Sequence, residues 1–397
     1  MVKFISLLTA LLSLKVHSNK LISYYNGELN LTNDQVVFIC DSLIHNSQSY
    51  YLLALAFYQK AWIADSENDT YKAYELLTKS QEQLAKSDTV DNYLHYSILN
   101  KLGLILKYHW LVGESAEKYR QALEPAFAYS LERGLSVKYN LARALAYKDP
   151  EEAMNLLVDI LHESKKNRLN DRVAKTYNEI ALILVRSKEH LHAIDYFNMA
   201  LEYAEDTELR GMTYQNYSHL YYEMGKYDLQ RLWLNRSLAL GDHRNRFISL
   251  MDMGENCLIK GDKLKAMEYL LEAEELYQEK PLRAKYIKVF EWLAKATEDE
   301  KKRSSYYKKR GDDMQKVIDV QEQLEAKLKQ QAMRQLLMRM ESERETERTK
   351  DLLFYLGILS TMVILGLIVT WRLWWYRLRV RLASKLKLLA DRWDQME

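Results

Sequence analysis

Residues 174–210 read AKTYNEIALILVRSKEHLHAIDYFNMALEYAEDTELR, and this stretch decides the fold. In its first half Tyr177, Ile180, Ala181 and Leu184 fall on one face of a helix, with small Ala181 leaving room for a second helix to approach. In its second half Ala193, Phe197 and Ala200 form the complementary small, large, small stripe. A step of 37 residues leads to Tyr214, Tyr217, Ser218 and Tyr221, then Gln230, Leu234 and Ser237. A further 36 residues lead to Leu250, Met253, Gly254 and Cys257, then Ala266, Leu270 and Ala273. One helix pair cannot bury its own apolar face, so a repeated packing pattern predicts pairs stacked into a superhelix. Gly225 and Gly261 stand where the left-handed residue that ends each first helix is needed.

The rest of the chain fits this reading. Three prolines and twelve glycines in 397 residues, with abundant Ala, Leu, Glu, Lys and Tyr, predict an all-α protein. Weaker copies of the pattern occupy 54–95 (Phe57, Ala61, Ala64; Ala73, Leu77, Ser80) and 96–133 (Leu102, Gly103, Leu106; Ser115, Tyr119, Ala122). Another occupies 134–173 (Val137, Leu141, Ala144; Ala153, Leu157), and a degenerate seventh runs through 285–313 around Trp292. A plain helical bundle has no reason to repeat these spacings.

The windows 174–210, 211–246 and 247–284 resemble the tetratricopeptide (TPR) family, whose pattern is W-x2-L-G-x2-Y followed by A-x3-F-x2-A. The terminal proline of that pattern is absent from every copy and the periods are longer than the usual ~34. The resemblance implies an α-solenoid of antiparallel helix pairs over 54–313, behind an N-terminal helical cap at 19–53. It also implies that a peptide or protein binds in a groove lined by the first helices. By position in the motif the groove candidates are Lys138, Lys175, Asn178, Gln215, Asn216, His219, Tyr222 and Glu255. Some relatives hold an acidic C-terminus with Lys and Asn at fixed places in successive first helices. Lys138 and Lys175 are present without the matching asparagines, so that activity is not carried over.

Beyond the array three segments have their own character. Met314, Val317, Gln321, Leu324, Leu328, Gln331, Gln335 and Met338 follow a 3,4 spacing in a stalk at 314–351, which suits either a solvated helix or a coiled-coil seam joining two copies. Residues 352–371, LLFYLGILSTMVILGLIVTW, carry no charge and are long enough for one membrane-spanning helix, into which the stalk is expected to run unbroken. The tail at 372–397 opens with an interfacial belt, Trp371, Trp374, Trp375 and Tyr376, interleaved with Arg377, Arg379 and Arg381. Leu378, Leu382, Leu386 and Leu389 then share a helical face, which predicts an amphipathic helix on the inner leaflet, able to contact lipid or a cytoplasmic partner. The cationic tail is placed inside by the positive-inside bias. At the other end Lys3, the apolar run Phe4–Leu14, and Val16 and Ser18 predict a signal peptide over 1–18, which puts the array outside the cytoplasm, in the periplasm if the cell is bacterial.

Composition excludes other classes. A formal net charge of +2, with the excess cations in the short tail, is poor material for a nucleic-acid surface. Cys40 and Cys257 are far apart and without metal-ligand company, so they read as buried small hydrophobes, and no metal or cofactor is expected. His190 and His192 point to different faces of a helix, and no phosphate loop, H-E-x-x-H or nucleophile elbow occurs, so an enzyme is not expected. The order of segments is similar to membrane-anchored bacterial TPR sensors, whose cytoplasmic output domain has no counterpart after this tail. That resemblance implies signal transduction through a partner, or a shortened relative. The alternative expectation is a tethered scaffold for assembling extracytoplasmic proteins.

Overall fold

The computed structural model describes residues 2–240, 243–277, 284–346 and 362–379, and every regular segment among them is an α-helix. Two helices, α1 (Val2–Tyr25) and α2 (Asn33–Asn46), precede six hairpins. These pair α3 (Tyr50–Ser66) with α4 (Thr70–Leu84), α5 (Asn92–Tyr108) with α6 (Val112–Tyr129), and α7 (Leu131–Leu145) with α8 (Pro150–Lys166). The series continues with α9 (Asn170–Arg186) and α10 (His190–Tyr203), α11 (Thr207–Glu223) and α12 (Tyr227–Ala239), and α13 (His243–Ile259) and α14 (Lys263–Tyr277). Then come α15 (Ala284–Ala296), α16 (Glu300–Thr346) and α17 at 362–379. The chain divides into two compact units, Met1–Leu324 and Glu325–Glu397.

Close approach of paired helices explains the repeat. The small position recurs as Ala64, Gly103, Ala142, Ala181, Ser218, Gly254 and Ala294, all buried. A Cβ on Gly103 would lie 2.8 Å from the Tyr119 ring, and one on Gly254 only 2.4 Å from Leu270. In the second helices the trios Ala73, Leu77, Ser80; Ser115, Tyr119, Ala122; Ala193, Phe197, Ala200; and Ala266, Leu270, Ala273 are buried without exception. Serines at the flanking positions donate to the first helix: Ser80 Oγ to the Ala54 carbonyl at 2.6 Å and Ser115 Oγ to that of Gly103 at 2.7 Å.

Helix ends follow local chemistry. Thr32 and Gln35 form a reciprocal capping box on α2, while Ser49, Asp69, Asp91 and Asp149 each accept a backbone N–H at the start of their helices. Ser130 both ends α6 and caps α7, so these two helices join with no loop between them. The left-handed residue between paired helices is glycine at Gly225 (φ 68°) and Gly261 (φ 80°) but Asn68 (φ 62°), Trp110 (φ 60°) and Lys188 (φ 63°) in earlier hairpins.

The C-terminal end of the array departs from expectation. The first half of α16 is the second helix of a seventh pair rather than free stalk. Val317 joins a core with Ile287, Phe290 and Leu293, the Tyr277 hydroxyl donates to Asp313 at 2.9 Å, and Leu324 is fully buried. Val317 and Leu324 are therefore spent on their own chain and unavailable to a dimer seam. Leu328, Gln331, Gln335 and Met338, by contrast, are half-buried or exposed.

Nor do stalk and span form one rod. Arg372 pairs with Glu325, whereas a single straight helix would hold them ~70 Å apart. Residues 352–361 of the expected span, and Arg381 with the rest of the tail, lie outside the described residues. No helix among the described residues is long and apolar enough to cross a membrane. At the N-terminus α1 passes through Ser18 without a break, and His17 meets Phe38 edge to face at 5.6 Å with its Nδ1 2.8 Å from Ser42 Oγ.

Candidate functional site

Counting from the buried small residue of each first helix locates a continuous polar track. The residue after it is Asp65, Arg143, His219 or Glu255 in four first helices and Leu104 or Leu182 in two others; two places before the small residue stand Trp62, Lys101, Asn140, Glu179, Asn216 and Asp252. These side chains meet across repeats. Lys101 Nζ donates to Asp65 at 2.6 Å and lies 4.5 Å above the Trp62 ring. Asn140 donates to Asn100 at 2.9 Å, Arg143 Nε is 3.3 Å from Glu179, Asn216 donates to Asn178 at 3.0 Å, and the Tyr222 hydroxyl donates to Glu255 at 3.2 Å. Each contact joins one first helix to the first helix of the following repeat, so the track runs the length of the array as one groove wall.

Several of these groups touch water while protein encloses their flanks. The consequence is perturbed titration. Burial, reinforced by Glu255, pushes the Asp252 carboxyl up to about 7 against the pull of Lys285 and Lys288. Burial raises Glu255 too, opposed by the Tyr222 hydrogen bond and Lys288. The Tyr222 phenol is pushed up to about 12 by burial and then by Glu255. Although its ring is exposed, His219 sits below its ordinary value through burial between the walls and the Arg186 charge, against Glu223. For Arg143 burial works against the cation, but Tyr139 and Glu179 outweigh it and hold the guanidinium charged. The cations of α5 and α7 are thus paired, Lys101 with Asp65 and Arg143 with Glu179, while α13 carries two carboxyls, Asp252 and Glu255.

The residues expected in the groove divide into four groups. Asn216, His219, Tyr222 and Glu255 lie on the track. Asn178 and Gln215 are buried between repeats: Asn178 donates to Thr213 Oγ1 at 2.8 Å, and Gln215 to the Asn245 carbonyl at 2.5 Å and Ser249 at 2.9 Å. Lys175 is half-buried on α9. Lys138 is misplaced, since its ammonium donates at 2.8 Å to Asp159 of α8, its own second helix. The cause is register, because Ala142, one place after Leu141, is the small residue of α7. Counted from Ala142 the groove residues are Asn140 and Arg143. Lys101, Arg143, Glu179 and Asp252 stand at the counted positions and are not among the residues that the motif picks out. At the far end Trp371, Trp374, Trp375 and Tyr376 are exposed on α17, with Arg379 5.7 Å from the Trp375 ring.

Among solved structures the chain is similar to the apo form of RapI, with a TM-score of 0.51 at 11% identity, over 67% of this chain and 98% of that one. The fold is of the tetratricopeptide-repeat type. A Rap protein complexed with Competence and Sporulation Factor gives 0.49 at 16% identity, over 79% of this chain and 99% of that one. The Rap conjugation gene regulator of the plasmid pLS20, in complex with the Phr* peptide, gives 0.48 at 12%, over 75% and 88%. No protein-family description and no curated protein sequence matches the chain. This TPR array therefore has relatives in shape at identities that speak for the fold alone.

Proposed function

We propose that the TPR array recognises a peptide or protein segment along the groove of its first helices, without catalysis. One observation carries this reading: Arg143, His219, Tyr222, Asp252 and Glu255, from the first helices of three hairpins, combine access to water with enclosure by protein. An extended chain meets them with one residue after another, and partly desolvated charges discriminate between sequences better than open ones.

The reading extends to location and consequence. The uncharged run at 352–371 with its belt of Trp371, Trp374, Trp375 and Tyr376 supports a single-pass membrane protein, its array extracytoplasmic and its tail in the cytoplasm. Insertion requires Arg372 and Glu325 to part, so the paired arrangement belongs to the chain outside a bilayer. The tail would then relay groove occupancy to a cytoplasmic partner. The test is affinity purification with mass spectrometry from detergent, comparing the full chain, Tyr222→Ala and a chain ending at Tyr376. Loss of extracytoplasmic partners in Tyr222→Ala together with loss of a cytoplasmic protein in the shortened chain is expected. Retention of every partner by Tyr222→Ala sinks groove recognition, and an unchanged set with the shortened chain sinks the relay and leaves a tethered scaffold.

A further inference from the structure

Successive hairpins of the array are not all joined in the same way. From α5 to α12 continuous apolar cores join them. One core runs from Leu99 and Tyr119 through Leu141 and Ile160 to Ile180 and Ala200, and a second carries on from Phe197 to Tyr217 and Leu220, with the buried pair Asn178 and Thr213 beside it. Another core closes α13 to α16, from Phe247 and Leu250 through Leu270 and Phe290 to Val317. Where α11 and α12 meet α13, between these two bodies, Leu238 packs on the second body but the buried centre of the joint is polar. Gln215 donates to Ser249 at 2.9 Å, Ser249 to Ser237 at 2.9 Å, and Ser237 to the Gly211 carbonyl at 3.3 Å, a relay that crosses the joint twice. Asn256 donates to Gln230 at 2.7 Å and to the Tyr227 carbonyl at 2.8 Å, while its own Oδ1 is buried with no donor among the described residues. Gln215, Gln230, Ser237, Ser249 and Asn256 are all more than nine-tenths buried.

Parting an apolar joint exposes surface to which water offers nothing, whereas parting a polar one exchanges each protein hydrogen bond for one to water. The orphaned Asn256 oxygen adds a cost to the closed joint that opening removes. We propose that the joint between α12 and α13 is a hinge, at which α13 to α16, as far as Leu324, swing as one body against the hairpins before them. This stands on the joint alone and holds whether or not the groove binds a peptide. Its effect reaches the groove all the same, because the Tyr222 hydroxyl and Glu255, 3.2 Å apart, belong to opposite sides of the joint. Opening breaks that bond. The groove therefore has a closed form, with phenol and carboxylate joined, and an open form in which both are hydrated.

Thiol labelling of the full chain in detergent, over a series of low urea concentrations, tests this. Ser249→Cys places a near-isosteric thiol at the centre of the joint, and Ser115→Cys places one in the equally buried α5–α6 packing as a control. Peptide mapping by mass spectrometry tells the new thiols from Cys40 and Cys257, and circular dichroism checks that each variant is helical. A hinge opens without melting helices and so exposes little surface, which leaves its rate almost insensitive to urea, whereas unfolding exposes much and accelerates steeply. Ser249→Cys should label roughly ten- to a hundredfold faster than Ser115→Cys in water, at a rate nearly flat in urea, while Ser115→Cys climbs. Ser237→Cys, across the joint, should behave as Ser249→Cys does and serves in its place if that variant does not fold. Adding Tyr222→Phe, which keeps the ring and loses the bond to Glu255, should speed labelling at the joint by about two- to fivefold. Equal rates for joint and control thiols, climbing together with urea, overturn the hinge. Fast, urea-insensitive labelling that Tyr222→Phe leaves unchanged overturns the two forms of the groove and leaves a hinge that the groove does not feel.

Discussion

Asp252 shows how far one groove position can pull a side chain from its ordinary chemistry. Its carboxyl, pushed up to about 7 by burial and Glu255, is protonated in the folded chain at pH 5–6, where an unfolded aspartate is ionised. The folded state thus binds the extra proton between about pH 4 and 7, and stability falls as pH rises through that window. Asp252→Asn removes the proton and its pH dependence. At pH 8 it should raise the melting temperature of the array by roughly 2–6 °C, corresponding to about 1–2 kcal/mol once the water that reaches the group is allowed for, with little change at pH 4. Thermal melts by circular dichroism at both pH values decide it, and equal shifts at the two would show that titration is not the cause. Two glycines give the steric counterpart. Gly254→Ala drives a methyl to 2.4 Å from Leu270 and should cost about 1–3 kcal/mol, whereas Gly311→Ala, with nothing within 4 Å on α16, should gain about 0.5–1 kcal/mol. Denaturant unfolding of the two variants must move in opposite directions.

The helical hairpin is the unit at which this sequence is most readable. Its turns carry one further consequence, since Lys188 holds the left-handed conformation (φ 63°) that Gly225 and Gly261 hold in the next two hairpins. Lys188→Gly should stabilise by about 0.5–1 kcal/mol by relieving that conformation, and Lys188→Val should destabilise by at least as much, because a branched Cβ crowds the carbonyl there. A shift of both variants in the same direction would refute the argument. The six hairpins were legible because packing constrains them hard: only a small residue fits at Ala181 and Ser218 and only glycine at Gly254, and a nearly fixed count separates these places. The groove was less legible, because its residues obey no size rule and are found only by counting from the small position. That count failed in α7, where Leu141, Ala142 and Ala144 are all buried and any of them satisfies an apolar pattern. With Val137, Leu141 and Ala144 read as the packing residues, the motif points to Lys138 and not to Arg143.

At the scale of the whole molecule, two arrangements compete for the C-terminal helices. The 3,4 pattern of α16 reads the same whether its apolar residues close the array, as Val317 does, or meet a second chain, so sequence alone did not separate them. The pairing of Arg372 with Glu325 likewise has no sequence signature, and it is incompatible with a bilayer between the two residues. Topology in cells therefore distinguishes a spanning chain from a folded-back one, and the chain lends itself to the measurement. Cys40 and Cys257 are buried, and burial raises both thiols above their usual value, that of Cys40 to about 12, so neither should react at neutral pH. Val90 is 84% exposed in the array, and Ser384 lies in the tail. With a membrane-impermeant maleimide added to intact cells, or to spheroplasts if the cell is bacterial, Val90→Cys should label at once and Ser384→Cys only after lysis. Labelling of both before lysis would place array and tail on the same outer side and remove the span from the reading. Protection of both would place the array inside and reverse the proposed orientation, leaving the groove to recognise a cytoplasmic peptide.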